Sequence, residues 1–297
     1  MMDHTAQTLT LRDGRTLGYA EWGDPDGKPI LLFGGSTSSR LQRPADDASQ
    51  FAPGVRLYTF DRPGTGLSTR QPNRTLLDWP DDIRDFARQK HLDQFAVVGG
   101  SLGGAYAVAC AYALPDLLVC ASVISGVSGL GDAEVFATQT RATRSLIATV
   151  RRFPQFAAFQ NNLSRPLINS RFGKRVLRSA LGILPQSDQD ILDQPENMQI
   201  MYDSARECLS PGGAGAVDDM RAVVNDWAFK LEDIRTKVFI WQGEDDPQAP
   251  PAMARYMAAR IPANEATFLA NAGHLLIISH WRHILQQILD VWPACAG

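Results

Sequence analysis

Short apolar runs at regular intervals constrain the fold of this chain more than any other feature of its sequence. Four of them, PILLFGG, VRLYTFD, FAVVGG and LLVCASVIS, are nearly continuous, as expected for strands that are buried on both faces of a sheet. Helix-like stretches near residues 38–50, 76–90 and 102–113 lie between them. This alternation predicts a mostly parallel sheet covered by helices.

The two ends of the chain extend this pattern. The stretch TLTLRDGRTLGYAEWG alternates on either side of Asp13-Gly14, which predicts a β-hairpin. Near the carboxyl end, TKVFIWQG and EATFL are strand runs, and SHWRHILQQILDVW is helical in pattern. From about Leu130 to Trp227 no strand run occurs, and a structureless loop of that length is implausible in a compact domain. We therefore predict a core of residues 1–129 and 227–297, interrupted by a helical insertion at 130–226.

Bulk properties narrow the range of functions. The chain has 297 residues and a net charge of −3, with no basic stripe, so we expect a small-molecule substrate rather than a nucleic acid. The opening MMDHTAQTLTLRDG lacks the pattern of a signal peptide, and glycines break the most apolar segment, so we predict a cytoplasmic protein without a membrane partner. The oligomeric state stays open. No metal-ligand or redox spacing links the four cysteines, so we predict no disulfide: Cys110, Cys120, Cys208 and Cys295.

The segment FAVVGGSLGGAYAVACAYAL places one serine among four glycines between a strand run and a helix run. A nucleophile at the apex of a sharp strand-to-helix turn needs neighbours with almost no side chain two positions before and after it, here Gly99 and Gly103. The amides at the start of the following helix favour negative charge at the same point. Ser101 is therefore a candidate nucleophile. The alternatives are a glycine-rich turn without chemistry and a phosphate cradle, although the known phosphate-loop motifs are missing.

A nucleophilic serine needs a base, usually a histidine, that a carboxylate orients. Of the five histidines, His274 is the one in a glycine-preceded loop between a strand run and a helix run. The loop GEDDPQAP follows the preceding strand run and carries three acidic residues, Glu244, Asp245 and Asp246. Loops at neighbouring strand ends can bring such side chains together. Asp132, which follows an earlier strand run, is the alternative carboxylate.

These motifs together resemble the cap-bearing bacterial serine hydrolases of the α/β-hydrolase fold superfamily. The resemblance rests on GxSxG at Ser101, on Gly243–Pro250 matching G-x-x-D-x-x-x-P, on Gly273-His274, and on FDRPGTGLS matching D-x-x-G-x-G-x-S. It covers roughly residues 1–128 and 226–297. It implies an eight-stranded, mostly parallel sheet with helices on both sides and a helical cap, and a catalytic triad of Ser101, Asp246 and His274. It implies no cofactor and no metal. Dehalogenases and epoxide hydrolases of this fold are disfavoured, because they carry aspartate where this chain has Ser101.

The resemblance also implies an oxyanion hole, in which two amides stabilise the negative charge of the tetrahedral intermediate. Leu102, directly after the nucleophile, is the expected first donor, and Gly35 in the loop LLFGGSTSS is the expected second donor. Related enzymes usually have histidine before the first glycine of that loop, where this chain has Phe33. Ser36 and Gly100 are candidate substrate contacts, Ser36 through its hydroxyl and Gly100 through the space it leaves.

The insertion offers weaker signals. Five aromatic residues are candidates for lining a substrate pocket, although we expect packing within the cap for any one of them: Phe136, Phe153, Phe156, Phe159 and Tyr202. Four arginines either favour an acidic substrate or form a solvated helix face, and the second alternative is the expectation: Arg141, Arg144, Arg151 and Arg152.

The sequence thus predicts a serine hydrolase that cleaves a carboxylic ester, thioester or lactone through an acyl-enzyme. The fold also supports C–C bond hydrolases, lyases and cofactor-free oxygenases with a similar triad, so these reactions remain alternatives. A non-catalytic ligand receptor is the third alternative, and the presence of all three triad residues argues against it.

Overall fold

The computed structural model of the chain describes residues 4–45 and 54–292. Its sheet has eight strands in the order β1-β2-β4-β3-β5-β6-β7-β8. The two pairs β1–β2 and β2–β4 are antiparallel, and all other pairs are parallel, which confirms the predicted sheet. The strands are β1 (Gln7–Thr10), β2 (Thr16–Gly23), β3 (Lys28–Phe33), β4 (Val55–Phe60), β5 (Phe95–Gly100), β6 (Leu118–Ile124), β7 (Val238–Gly243) and β8 (Asn264–Leu269).

Twelve α-helices lie within the described residues: α1 (Asp78–Gln89), α2 (Leu102–Ala113), α3 (Ala133–Ala137), α4 (Arg141–Arg152), α5 (Pro154–Ile168), α6 (Gly173–Ala180), α7 (Gln186–Leu192), α8 (Pro195–Cys208), α9 (Ala214–Val224), α10 (Pro251–Ala258), α11 (Leu276–Ser279) and α12 (Trp281–Asp290). None of the helices in this part of the chain is long and apolar enough to cross a membrane.

The hairpin of β1 and β2 forms where Asp13-Gly14 predicted it. Gly14 has a φ of +88°, a backbone conformation that glycine adopts without steric cost. Thr10 pairs with Thr16 at the closed end, and β2 then pairs with β4 along its other edge.

The predicted helix near residues 38–50 is wrong for its described part. Residues 38–45 contain turns and irregular backbone without a helix, and residues 46–50 lie outside the described residues. In place of a helix, Arg40 uses its backbone amide and its guanidinium to bind the buried carboxylate of Asp61, at 2.8 and 2.7 Å. Contacts between distant residues therefore override a local pattern that resembled a helix.

The core consists of two apolar layers, one on each face of the sheet. On one face, α1 and α2 contribute Trp79, Phe86 and Tyr106, which are almost fully buried. On the other face, Trp281 and Ile284 of α12 pack against the sheet. Because both faces of the parallel strands are covered, the strands read as continuous apolar runs in the sequence.

The long interval between β6 and β7 contains the seven helices α3 to α9 and no strand among its residues, all of which are described. This agrees with the helical character predicted for residues 130–226, which we call the cap. The division of the chain into a core and a separate cap domain stays a prediction. Local signals start some of the helices: the Thr140 side chain, for example, accepts a hydrogen bond from the Thr143 amide at the start of α4.

The cysteines among the described residues are free and buried. Burial raises the pKa of Cys120 and Cys208 to about 12 and that of Cys110 well above its ordinary value, so these thiols stay protonated and act as small apolar groups. Cys295 lies outside the described residues.

Candidate active site

Ser101 is the single residue between β5 and α2, at the turn that the glycines predicted. Its φ and ψ are 55° and −121°, which is a strained conformation for a residue with a side chain. The residue before it ends a strand and the residue after it begins a helix, so the turn is as sharp as the chain permits. The Ser101 side chain forms no hydrogen bond within the described residues and lines a cavity.

Crowding explains three of the four glycines around the serine. A methyl group on Gly99 would lie 2.2 Å from the Gly103 carbonyl oxygen, and one on Gly103 would lie 2.0 Å from the Phe33 carbonyl oxygen. A methyl group on Gly104 would come within 2.8 Å of the Cα of Gly126. Any side chain at these positions would push α2 away from the sheet.

Asp246 and His274 are brought together by the loops after β7 and β8. The His274 Nδ1 and the Asp246 Oδ2 are 2.8 Å apart, and both side chains are buried. The second carboxylate oxygen accepts hydrogen bonds from the backbone amides of Gln248 and Ala249, at 2.8 and 3.0 Å. An ionised carboxylate can only accept, so Nδ1 carries the proton and Nε2 is left free to act as a base.

The other acidic candidates have different environments. Glu244 and Asp245 are exposed, and Glu244 pairs with Arg255 at 2.7 Å. Asp132, the alternative carboxylate, accepts hydrogen bonds from two amides at the start of α3 and so caps that helix. Of these four acidic residues, the structure brings only Asp246 to His274.

Asp188 is a fully buried residue of the site that the sequence did not indicate. It lies on α7 of the cap, and its two carboxylate oxygens accept the backbone amides of His274 and Leu275, at 2.7 and 2.9 Å. A methyl group on Gly273 would lie 2.3 Å from this carboxylate, so the glycine makes the close approach possible. The cap therefore holds the histidine loop directly. The pattern SDQDIL has no local signal that distinguishes Asp188 from the exposed Asp190.

Opposing effects set the pKa of His274. Burial by itself would lower the pKa of the imidazole, but the charge and hydrogen bond of Asp246, with a smaller contribution from Asp188, raise it above its ordinary value. Burial raises the pKa of the Asp188 carboxyl, and the two amides and His274 act against that effect.

Ser101 and His274 line the same cavity, although no hydrogen bond joins them among the described residues. Such a bond is often long in the free state of a hydrolase and shortens when substrate binds. Ser101, Asp246 and His274 thus all lie at the same edge of the sheet, where the parallel strands β5, β7 and β8 end.

Gly35 and Leu102, the expected oxyanion donors, both lie beside the serine. A methyl group on Gly35 would be 3.2 Å from the Ser101 Cβ, which shows how closely the two chains approach. Leu102 begins α2. Within the described residues the backbone amides of Gly35 and Leu102 donate no hydrogen bond to protein groups. Amides that are free at this point are what an oxyanion hole requires.

Arg62 stabilises the loop after β3, which contains Gly34 and Gly35. Its guanidinium donates hydrogen bonds to the carbonyl oxygens of Gly34 and Gly35, at 2.7 and 2.6 Å. The Ser38 hydroxyl also donates to the Gly35 carbonyl, at 2.8 Å. With that carbonyl bound on both sides, the orientation of the loop is fixed.

A buried carboxylate on the cap helix α9 holds Arg62 in turn. Asp219 accepts hydrogen bonds from Arg62 at 2.8 Å, from Arg74 at 2.9 Å and from the Tyr106 hydroxyl at 2.7 Å. Burial would raise the pKa of Asp219, but the two arginines outweigh it and lower this pKa. The sequence did not indicate this network either, because its members are up to 157 positions apart.

Phe33 has a structural role at the position where related enzymes usually have histidine. Its ring is buried and packs edge-on against Trp79, with the centroids 5.4 Å apart. It therefore belongs to the apolar layer beneath the loop, and the polar support of the loop comes from Arg62.

The cavity above Ser101 has a volume of about 370 Å³ and lies between the core and the cap. Its floor includes Ser36 and Gly100, the two predicted substrate contacts, although a methyl group on Gly100 would lie 3.2 Å from the Ile277 side chain. The cap side is mostly apolar, with Ile168, Leu177, Leu181, Leu184, Met201 and Leu209, and includes two polar residues, Asn161 and Ser164.

None of the aromatic candidates of the cap lines this cavity. Tyr202 is buried and its hydroxyl donates to the Ile168 carbonyl oxygen. Phe136, on α3, is partly buried and packs against an apolar cluster that includes Val135 and Ile147. The expectation of packing is wrong for Phe153, Phe156 and Phe159, which are exposed. The four candidate arginines of the cap do not reach the cavity either.

No group of three or more His, Cys, Asp or Glu side chains in the described part of the chain could hold a metal ion. That the reaction uses neither metal nor organic cofactor follows from the chemistry of a serine triad and stays a prediction.

Residues 16–284 match the sequence pattern of the alpha/beta hydrolase family, so the chain belongs to this family. The sequence-based assignment to this family is thereby confirmed, and the protein is an enzyme of the hydrolase class.

Among curated proteins it is similar to rhodomycin D methylesterase DauP of Streptomyces sp. (strain C5), with 27% identity over 90% of this chain and 92% of that protein. Two solved structures share the fold with TM-scores of 0.69. One is a thermophilic esterase from Thermogutta terrifontis, 20% identical over 96% of this chain and 97% of its own. The other is the enol-lactonase from Burkholderia xenovorans LB400, 17% identical over 96% of this chain and 99% of its own.

Proposed function

We propose that the protein is a serine hydrolase that cleaves the ester bond of an apolar small molecule through an acyl-enzyme. One observation carries the proposal: a buried, hydrogen-bonded Asp246–His274 pair opens into the same cavity as Ser101, which lies at a strained strand-to-helix turn. Few uses other than nucleophilic catalysis require this combination of strain, a free hydroxyl and an oriented base.

In the proposed reaction, the Ser101 oxygen attacks the carbonyl carbon while His274 Nε2 takes its proton. The carbonyl oxygen becomes negative and accepts hydrogen bonds from the amides of Gly35 and Leu102. The C–O bond to the alcohol breaks, and the histidine gives the proton to the leaving oxygen. Water, deprotonated by the same nitrogen, then attacks the acyl-enzyme and releases the acid. Asp246 stabilises the imidazolium ion in both steps.

The lining of the cavity supports a substrate with an apolar acyl group. Its cap side presents mainly aliphatic side chains, and its polar lining is concentrated near Ser101 and in the loop after β3. A substrate with one polarised carbonyl and an aliphatic or polycyclic body would match both parts. The similarity to a methylesterase adds support for a carboxylic ester with a small alcohol group.

Labelling with a fluorophosphonate probe tests the nucleophile. We expect the wild type to label and Ser101→Ala not to label. Ser36→Ala is the matched control, because Ser36 lines the same cavity and should leave labelling intact. Equal labelling of Ser101→Ala and the wild type, or none of the wild type, would contradict the assignment.

A substrate panel tests the reaction separately from the nucleophile. We expect p-nitrophenyl and methyl esters of apolar acids to be hydrolysed, and β-diketones to be left unchanged. If the protein labels at Ser101 but cleaves only β-diketones, the triad is right and the ester reaction is wrong, and the C–C bond hydrolase alternative replaces it.

A further inference from the structure

The outer surface of the cap carries large apolar side chains that neither the fold nor the active site uses. Helix α5 packs against α9, α4 and α6. On its opposite side Phe156, Phe159, Leu163 and Leu167 follow one another at intervals of three and four, so they lie on one face of the helix. Each of them is between 54% and 60% exposed.

Segments next to this face in the chain carry three further exposed apolar residues. Phe153 precedes α5, Phe172 precedes α6 and Val176 follows one turn later on α6, and all three are exposed. We call these seven residues the outer cap face: Phe153, Phe156, Phe159, Leu163, Leu167, Phe172 and Val176. Exposed apolar surface of this extent usually marks an interaction site.

The same segment is strongly basic. Residues 135–187 contain no Asp or Glu and nine basic residues: Arg141, Arg144, Arg151, Arg152, Arg165, Arg171, Lys174, Arg175 and Arg178. Because the whole chain has a net charge of −3, the remainder carries −12 (−3 − 9). The segment that carries these exposed apolar residues therefore has an excess of positive charge, whereas the remainder of the chain has an excess of negative charge.

Little of this positive charge is neutralised within the protein. Of the nine basic residues, Arg178 alone pairs with a carboxylate in the described residues, that of Asp193 at 2.7 Å. The Arg171 guanidinium lies over the exposed Phe172 ring, 4.6 Å from its centroid, so charge and apolar surface meet at one point. Lys174 and Arg175 are exposed on the first turns of α6.

We propose that the outer cap face binds the surface of an anionic lipid bilayer. Aromatic and leucine side chains on one side of a helix, with arginines beside them, are what inserts at the boundary between headgroups and acyl chains. The charge decides against a second copy of this chain, because a symmetric contact would bring the two basic segments together. The interpretation that the sequence has no basic stripe was wrong for residues 135–187, because the net charge of the whole chain masks this segment. The expectation of no membrane partner rested on the lack of a spanning segment, and surface binding requires none.

This surface lies on the other side of the helix that closes the active-site cavity. Asn161, Ser164 and Ile168 of α5 line the cavity, whereas Phe156, Phe159 and Leu163 point outward. Bound in this way, the cap would rest on the bilayer, and apolar compounds dissolved in the lipid would lie close to the cavity.

Vesicle cosedimentation of the whole protein tests the proposal. We expect binding to vesicles of phosphatidylcholine with 30% phosphatidylglycerol, much weaker binding to phosphatidylcholine alone, and a loss of binding with added salt. The variant F156S/F159S/L163S should bind the anionic vesicles at least ~10-fold more weakly. Val291→Ser, at an exposed apolar residue remote from the cap in sequence, is the control and should bind like the wild type.

A second variant, R171E/K174E/R175E, tests the charge and keeps the proposal testable if the serine variant fails to fold. It should also lose at least ~10-fold in binding, because each basic residue near an anionic surface contributes severalfold. Arg88→Glu, exposed on α1, is its control. Hydrolysis of a water-soluble p-nitrophenyl ester should be the same in all folded variants, since none of the changed residues lines the cavity.

Three results would overturn the proposal. The first is a wild type that does not bind anionic vesicles at low salt. The second is equal binding by the wild type and both variants. The third is a wild type that is dimeric by light scattering and does not bind vesicles, together with a monomeric serine variant, which would show that a second copy covers the face.

Discussion

At the residue scale, the position of His274 depends on two carboxylates of different origin. Asp246 binds the ring from the core, and Asp188 binds the backbone of the same loop from the cap. Both negative charges favour the imidazolium ion, and they raise the pKa of His274. Because His274, as the proposed base, must be neutral to act, activity should be lost as the pH falls through this raised pKa, so the acidic limb should lie above about 6.5.

Asp188→Asn separates a positioning role from a general effect on stability. The amide side chain can accept only one of the two backbone hydrogen bonds and carries no charge. We expect kcat/KM to fall about tenfold, since a hydrogen bond to a charged group contributes ~1.5–3 kcal/mol. The acidic limb should move to lower pH, because the charge that stabilises the protonated histidine is gone.

The measurement is a pH–rate profile of kcat/KM with a soluble ester, and Asp190→Asn is the control. Asp190 lies two positions further on the same helix, but it is exposed, and among the described residues its side chain bonds only to Gln186. If Asp188→Asn melts earlier but keeps the wild-type acidic limb, then Asp188 has a structural role alone.

At the scale of elements, helix α9 of the cap stabilises the loop after β3, which carries the proposed oxyanion donor Gly35, through buried charges. Asp219 on α9 binds Arg62, and Arg62 binds the two carbonyl oxygens of the loop after β3. Such a network is costly to desolvate, but removal of one partner leaves the others charged and buried.

Asp219→Asn should therefore lower the free energy of unfolding by about 3–5 kcal/mol. The pKa of Asp219 is lowered in the folded state, so its stabilising contribution is complete above the unfolded pKa, near 3.9, and is lost as the pH falls through the folded value. The difference from the wild type should thus shrink in acid. Urea unfolding at pH 7 and at about pH 2.5, which lies below the unfolded pKa, measures both effects.

Asp218→Asn is a suitable control because its partner Arg70 is about half exposed. An exposed partner makes a pair of this kind worth roughly 1 kcal/mol or less. Equal losses in the two variants would contradict the importance of the buried network.

The sheet and the loops that carry Ser101, Asp246 and His274 were predictable because local patterns encode them. Buried parallel strands read as apolar runs, and the crowded turn at Ser101 admits only glycine at Gly99 and Gly103. Asp188 and Asp219 were not predictable, since their function depends on groups far away in the chain. Packing within the cap was wrongly predicted for Phe153, Phe156 and Phe159. Helical spacing shows that residues share one face of a helix, but it does not show whether other parts of the protein cover that face.

At the scale of the whole molecule, the cap and the core share one cavity, so cap residues should set substrate size. Met201 of α8 lines the cavity on the cap side. We expect Met201→Trp to reduce kcat/KM for a p-nitrophenyl octanoate about tenfold or more and to leave the acetate nearly unchanged, because the larger ring fills the space for the acyl chain.

The acyl-length profile measures this effect, with Ile183→Trp as the control. Ile183 is also in the cap but is 70% exposed and does not line the cavity. If kcat/KM depended on acyl length in the same way in both variants and in the wild type, the acyl chain would have to bind away from Met201.

The sequence by itself determined the strands, the helical nature of residues 130–226, the serine turn and the membership in the alpha/beta hydrolase family. It did so because strand burial and a crowded turn each depend on residues that are neighbours in the chain. Only the tertiary structure decided that Asp188 and Arg62 support the site and that a large part of the cap's apolar surface faces outward. Those properties arise where distant segments meet, and the free energy of such contacts leaves no local pattern.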